Sequence, residues 1–230
     1  MKTIGMIGGM SWESTAVYYR EANEIVRERL GGLSSAKIVL TSLDFQQISD
    51  LQKADRWADA AEILAESARN LELAGADIVL ICTNTMHLLI DHVQSVVQVP
   101  VLHIGDVAGA AVTSKGLKKI GLLGTAFTME KDFYRDRIAS HGVDVVVPES
   151  EDRNTVHRAI FEELALGVCS EATRREFQRI IASLVAEGAE GIILGCTEIE
   201  LLISESDSPV PVFPTAKLHI EAAVDFALSE

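Results

Sequence analysis

A chain of 230 residues is long enough for one large domain or two small ones. Apolar residues make up 48% and charged residues 23%, a globular balance that buries a core and excludes global disorder. With 34 acidic and 20 basic side chains the formal net charge is −14, which argues against a nucleic-acid or membrane-surface partner but leaves room for a small anionic substrate held by a local field.

Taken in chain order, the first nine residues hold a short apolar run broken by Gly5, Gly8 and Gly9. That pattern predicts a strand entering a turn, not a signal peptide. Runs rich in Val, Ile and Leu follow at Thr3–Ile7, Ile38–Leu43, Ile78–Cys82, Val101–Ile104, Ile120–Leu123, Val143–Val147, Ile192–Leu194 and Val210–Phe213. They do not alternate apolar with polar, which predicts strands buried on both faces. Three- and four-residue apolar spacing predicts helices over Glu13–Leu30, Arg56–Leu73, Phe133–Ser140, Thr155–Leu166, Glu171–Ala186 and Thr215–Leu228. No segment reaches the roughly 20 apolar residues that span a bilayer. The alternation of strand and helix implies α/β architecture with parallel sheets.

The sequence also repeats itself. Lys2–Gly8 resembles Lys118–Gly124 at an offset of 118 − 2 = 116, and Gly75–Thr83 resembles Gly188–Cys196 at 188 − 75 = 113. Val99-Pro100-Val101 matches Val210-Pro211-Val212 at 210 − 99 = 111. The repeat predicts two similar parallel-sheet lobes related by a pseudo-twofold, with the active site in the cleft between them. Lobe one is expected over 1–105 and lobe two over 106–210, with the helix at 215–228 packing back on lobe one.

Ligands of open parallel sheets bind beyond the carboxyl ends of the strands. In lobe one those loops are Gly8–Glu13, the segment after Ser42, and Thr83–Thr85; in lobe two they are Gly124-Thr125, the turn at Pro148, and Cys196–Glu198. Gly8-Gly9 lacks both GxGxxG and P-loop spacing, so it reads as a carboxylate-binding or structural turn. At the offset of 113, Cys196 aligns with Thr83 and not with Cys82. A thiol and a hydroxyl at equivalent strand ends suit proton movement across a carbon centre. The alternatives are a core cysteine at Cys196 and a helix N-cap at Thr83. Cys82 reads as core and Cys169 as incidental. The three cysteines form no disulfide framework and suit a reducing cytoplasm. His87 lies one turn past Thr83, placed to line the cleft or cap polar groups. His87 and His92 are wrongly spaced for a metal pair, and no metal site is expected.

These residues resemble the aspartate/glutamate racemase family, in its bacterial broad-specificity branch. The resemblance rests on Lys2-Thr3-Ile4-Gly5, Gly8–Thr15, Cys82-Thr83-Asn84-Thr85-Met86-His87 and Gly195-Cys196-Thr197-Glu198, and runs over nearly the whole chain. It implies a cofactor-independent amino-acid racemase (PLP-independent, an isomerase) that needs no metal, is cytoplasmic, and forms a homodimer. Two thiols would flank the substrate Cα, one removing a proton and the other supplying one. Cys196 would take the proton from the L-enantiomer. Asn84, Thr85, Thr197 and Glu198 would contact the substrate, with Met10, Ser11 and Gln52 as walls. Glu198, where the cell-wall glutamate racemases usually have His, favours the aspartate/glutamate branch.

Two departures bear on activity. Thr83 replaces the usual first cysteine; a hydroxyl is a far weaker acid than a thiol, so turnover is expected to favour the L-to-D direction. Ile48 and Ala165 stand where some relatives carry Arg and Lys, which opens the side-chain preference beyond Asp and Glu. A single-cysteine decarboxylase and a catalytically dead amino-acid-binding protein are the competing readings.

Overall fold

The computed structural model describes residues 1–229. Its elements run β1 (Ile4–Gly8), α1 (Trp12–Leu30), β2 (Ile38–Ser42), α2 (Phe45–Lys53), α3 (Trp57–Leu73), β3 (Ile78–Ile81), α4 (Ile90–Ser95) and β4 (Val101–Leu102). They continue as α5 (Ile104–Ser114), β5 (Lys119–Gly124), α6 (Ala126–Glu130), α7 (Asp132–Ala139), β6 (Asp144–Val146), α8 (Ser150–Glu162), α9 (Glu171–Ala186), β7 (Ile192–Gly195), β8 (Val212–Pro214) and α10 (Thr215–Leu228). Among the described residues the strands form two four-stranded sheets, ordered β2-β1-β3-β4 and β6-β5-β7-β8, parallel throughout. The expected α/β fold with two parallel sheets is the one the chain adopts.

Each sheet has the same topology. From the first strand of each, the chain crosses to one side to make the second strand and to the other side to make the third. The loops after β1 and β3, and after β5 and β7, therefore diverge at the carboxyl edge, the place where open α/β sheets hold ligands. In the sheets themselves the central strands β1, β3 and β7 are buried along their length. That matches their unbroken apolar runs. The edge strand β2 differs from the expectation of burial on both faces: Leu40 is exposed and Ile38 and Val39 are only half-buried.

The chain divides into two compact units, residues 1–103 with those from His219 on, and Ile104–Leu218. In the first unit, α3 lays Ala60, Leu64, Ala68 and Leu71 on the sheet at four-, four- and three-residue spacing. Small residues allow close approach: a Cβ on Gly5 would lie 2.8 Å from the Cβ of Ala76. Full burial of a side chain such as Leu64 contributes about 1.5–3 kcal/mol. Within the same unit the end of α10 is fixed by the Lys2 amide donating to the Ala227 carbonyl at 2.8 Å and by the Arg29–Asp225 ion pair. In the second unit, Leu123, Phe177, Ile180, Leu184, Ile192 and Leu194 form one core, and Ile120, Leu122, Tyr134, Ile138, Ile193 and Phe213 another.

Helix limits depart from the sequence expectation at α8. It begins at Ser150, not Thr155, and stops at Glu162, where a 3-10 turn over Leu164–Leu166 leads into Gly167 at φ +75°. Among the described residues no helix is long and apolar enough to cross a membrane.

Candidate active site

In the first unit the site loops are locked by short side chains. Gly9 has φ +87°, and a Cβ there would lie 2.2 Å from the Leu43 carbonyl oxygen. The loops after β1 and β2 touch at backbone distance, which only glycine allows. The Gly9 amide donates to Thr15 Oγ1 at 2.8 Å, and that hydroxyl donates to the Ser11 carbonyl at 2.8 Å. Ser11 caps α1, accepting from the Ser14 amide at 3.3 Å. Met10 and Ser11 are buried beside this turn.

Gln52 reaches the same end of the sheet from α2, whose N-cap is Asp44. Its amide donates to the Met86 sulfur at 3.0 Å, and Met86, Met10 and Ile48 share one apolar cluster. The structure thus brings Gln52 and Met86 together, with Met10 in the same apolar cluster as Met86. Ile48 is fully buried in that cluster.

Thr83 follows β3 with Cys82 between. Its amide donates back to the Ile81 carbonyl at 2.8 Å, a tight turn that ends the strand. The N-cap alternative is not what forms. The 3-10 turn Thr85–Leu89 is preceded by Asn84 in helical conformation with no side-chain cap, and among the described residues the Thr83 hydroxyl makes no hydrogen bond. Thr83 is half-buried, whereas Asn84 and Thr85 are buried. Cys82 is fully buried in the core, and burial pushes its thiol pKa far up, so it is inert. Cys169 is exposed, its sulfur 3.8 Å from the Leu201 carbonyl.

In the second unit Cys196 follows β7 at the matching place. Glycines again set the spacing, since a Cβ on Gly124 would lie 2.8 Å from the Gly195 carbonyl. Thr125 caps α6 through the Thr128 amide, as Ser11 caps α1 through Ser14. Cys196 is buried and donates from Sγ to Glu198 Oε2 at 3.0 Å; Thr197 Oγ1 donates to the same oxygen at 2.8 Å. Burial first, and then the adjacent Glu198 charge, hold the thiol pKa well above the ordinary cysteine value.

This pairing escaped the sequence reading, which gave Glu198 a substrate contact only. The bond gives the thiol proton an acceptor within 3.0 Å. Losing the thiol proton to solvent would put two negative charges in one buried place. Passing it to Glu198 keeps the total at one, so burial does not oppose transfer within the pair. Glu200 completes the acidic set: its Oε1 accepts from the Ala216 amide at 2.7 Å at the start of α10, and burial pushes its carboxyl up to about 8. Among the described residues no cluster of His, Cys, Asp or Glu is arranged to hold a metal ion.

The chain is similar to known proteins over nearly its whole length. The sequence profile of the Asp/Glu/hydantoin racemase family matches residues 7–223. The broad specificity amino-acid racemase RacX of Bacillus subtilis is 22% identical, with 98% of each chain covered. Among solved structures, a Yersinia pestis protein described with the Asp/Glu racemases is 49% identical over 100% of both chains, with a TM-score of 0.93. An aspartate racemase homologue from Pyrococcus horikoshii is 37% identical over 100% of both chains, with a TM-score of 0.87.

Proposed function

The chain belongs to the Asp/Glu/hydantoin racemase family, and from that premise we propose that it interconverts L- and D-amino acids without a cofactor, working best from the L-form. The observation that carries this is the buried Cys196–Glu198 pair, 3.0 Å apart, at the end of β7. Thr83 lies two residues past β3, the strand of the other sheet that corresponds to β7, which supports the pairing.

In the proposed reaction the thiol proton moves to Glu198, and the Cys196 thiolate takes the α-proton of the L-substrate. The carbanion is held as an enediolate by donors from Asn84 and Thr85. One such donor contributes about 10²–10³ in rate when charge develops in a dry site. Thr83 then donates its hydroxyl proton to the opposite face, water re-protonates the half-buried Thr83, and the hydroxide so formed takes the proton held on Glu198, leaving Cys196 as the thiol again. Returning from D to L requires Thr83 as a base. Among the described residues its hydroxyl has no partner to take the proton, whereas Cys196 has Glu198. The asymmetry of the two ends is the proposed source of the preference for the L-form.

Substrate choice is proposed to extend beyond Asp and Glu. The segments 8–13, 43–52, 83–87 and 196–198 contain no Lys or Arg, and Ile48 is turned into the core. An acidic substrate side chain gains no charge partner from these loops. The same reading carries a homodimer, which light scattering of the purified chain tests.

A panel of L-amino acids incubated in D₂O, followed by proton NMR and chiral chromatography, tests the proposal. Loss of the Cα proton with accumulation of D-product is expected, in the presence of EDTA and of hydroxylamine. Carbon dioxide release from a malonate without D-product would replace the racemase by a decarboxylase. Saturable binding without exchange would leave a binding protein.

A further inference from the structure

The ring of His87 sits under Thr83 and is itself buried. His87 Nδ1 is 2.8 Å from the Thr83 carbonyl oxygen. A carbonyl only accepts, so Nδ1 carries the hydrogen and donates it. Two further imidazoles enclose the ring, His103 at 5.0 Å and His219 at 5.6 Å between centroids. His219 is fixed in turn: Nε2 donates to the Leu102 carbonyl at 3.0 Å, which leaves Nδ1 to accept from the Tyr18 hydroxyl at 3.1 Å. His87 therefore cannot swing out without breaking into a packed set of rings.

Thr83 needs an external hold. Its amide is spent on the tight turn to Ile81, and among the described residues its hydroxyl has no hydrogen bond to aim it. The direction of the hydroxyl follows from where the backbone is held. A displacement of about 1 Å at a reacting group costs on the order of a hundredfold in rate.

We propose that His87 is a positioning residue for Thr83: through Nδ1–H it fixes the Thr83 carbonyl, and so the place from which the Thr83 hydroxyl delivers its proton. The inference rests on the reading above, in which Cys196 removes the α-proton and Thr83 supplies the new one. It adds that the two half-reactions depend on different supports, so damage at His87 should fall on one of them.

The test uses three variants of the full-length protein. His87→Leu removes the donor and keeps the bulk. His87→Asn places an amide N–H near Nδ1, whereas His87→Gln places it near Nε2. Two rates are followed with an L-amino acid in D₂O: loss of the Cα proton, and formation of D-product. For His87→Leu, D-product formation should fall more than tenfold while Cα exchange stays within about threefold of the unaltered protein. His87→Asn should recover most of the D-product rate and His87→Gln should not. A melting curve on each variant checks that the chain is folded; if His87→Leu does not fold, the contrast between Asn and Gln decides. Equal loss of both rates, no loss of product, or equal behaviour of Asn and Gln would overturn the positioning role. Thr83→Ala run alongside separates the premise. Full D-product formation in that variant would remove Thr83 from the reaction and the proposal with it, whereas lost product with surviving exchange upholds the premise whatever His87 does.

Discussion

Acid should destabilise the protein through its buried histidines, and His219 allows the size to be worked out. The ring is fully buried, and burial lowers its pKa from the ordinary 6.5 to about 3. In the unfolded chain the same imidazole takes up a proton as pH falls through 6.5; in the folded chain it does not. Unfolding therefore becomes easier with each step down from 6.5 until about 3, by about 1.4 kcal/mol per pH unit. Integrated from pH 7 to pH 5.5, His219 alone removes about 1.3 kcal/mol. His87, whose pKa burial and then the neighbouring His103 lower well below the ordinary value, acts in the same direction. Glu200 acts oppositely: its raised pKa means the folded state holds a proton that the unfolded state releases, so it adds stability as pH falls from 8. The clean readout is thus a difference. His219→Gln keeps a donor near Nε2 for the Leu102 carbonyl and cannot titrate. Urea unfolding of both proteins at pH 7.0, 6.2 and 5.5 should show the variant losing about 1.3 kcal/mol less than the parent. Parallel pH dependences would refute a neutral, buried His219.

Glu198→Gln should keep the fold and slow Cα exchange by about 10²–10³, because an amide accepts the S–H hydrogen bond but cannot take the proton; exchange near the parent rate would remove Glu198 from the step. Gly9→Ala should cost about 3 kcal/mol or more, combining a left-handed φ with overlap on Leu43, and a melting temperature within a degree of the parent would contradict the crowding. Thr83→Cys should raise turnover of D-substrates more than that of L-substrates, since only the D-direction uses this position as a base; chiral assays from both enantiomers check the ratio.

Much of the fold was legible because strands buried on both faces have unbroken Val, Ile and Leu runs. Their ends moved by a residue or two where tertiary demands intervened. The run at Val101–Ile104 yields only Val101–Leu102, because Ile104 already opens α5. That helix, IGDVAGAAVTS, holds two glycines and no strong periodicity, and escaped the sequence reading. It is stabilised by packing instead: a Cβ on Gly109 would lie 2.6 Å from the His141 ring. Short α2 also escaped, although Asp44 was an available N-cap signal.

At the candidate site the internal repeat was the informative feature. It aligned Thr83 with Cys196, and both follow the corresponding third strand of their sheets. What the repeat could not supply were side-chain contacts without a period. The Cys196–Glu198 bond is made across two residues at the start of a 3-10 turn, where no helical or strand spacing applies. Tyr18 and His219 meet across 201 positions of sequence, and only the return of α10 to the first unit brings them together.

The central claim is that the Cys196 thiol takes the α-proton. Its most direct test is Cα proton loss from an L-amino acid in D₂O, followed by NMR for the parent and for Cys196→Ser. The account predicts washout with deuterated D-product for the parent and no exchange above background for the variant, with matching melting curves. Exchange at the parent rate in Cys196→Ser would contradict it.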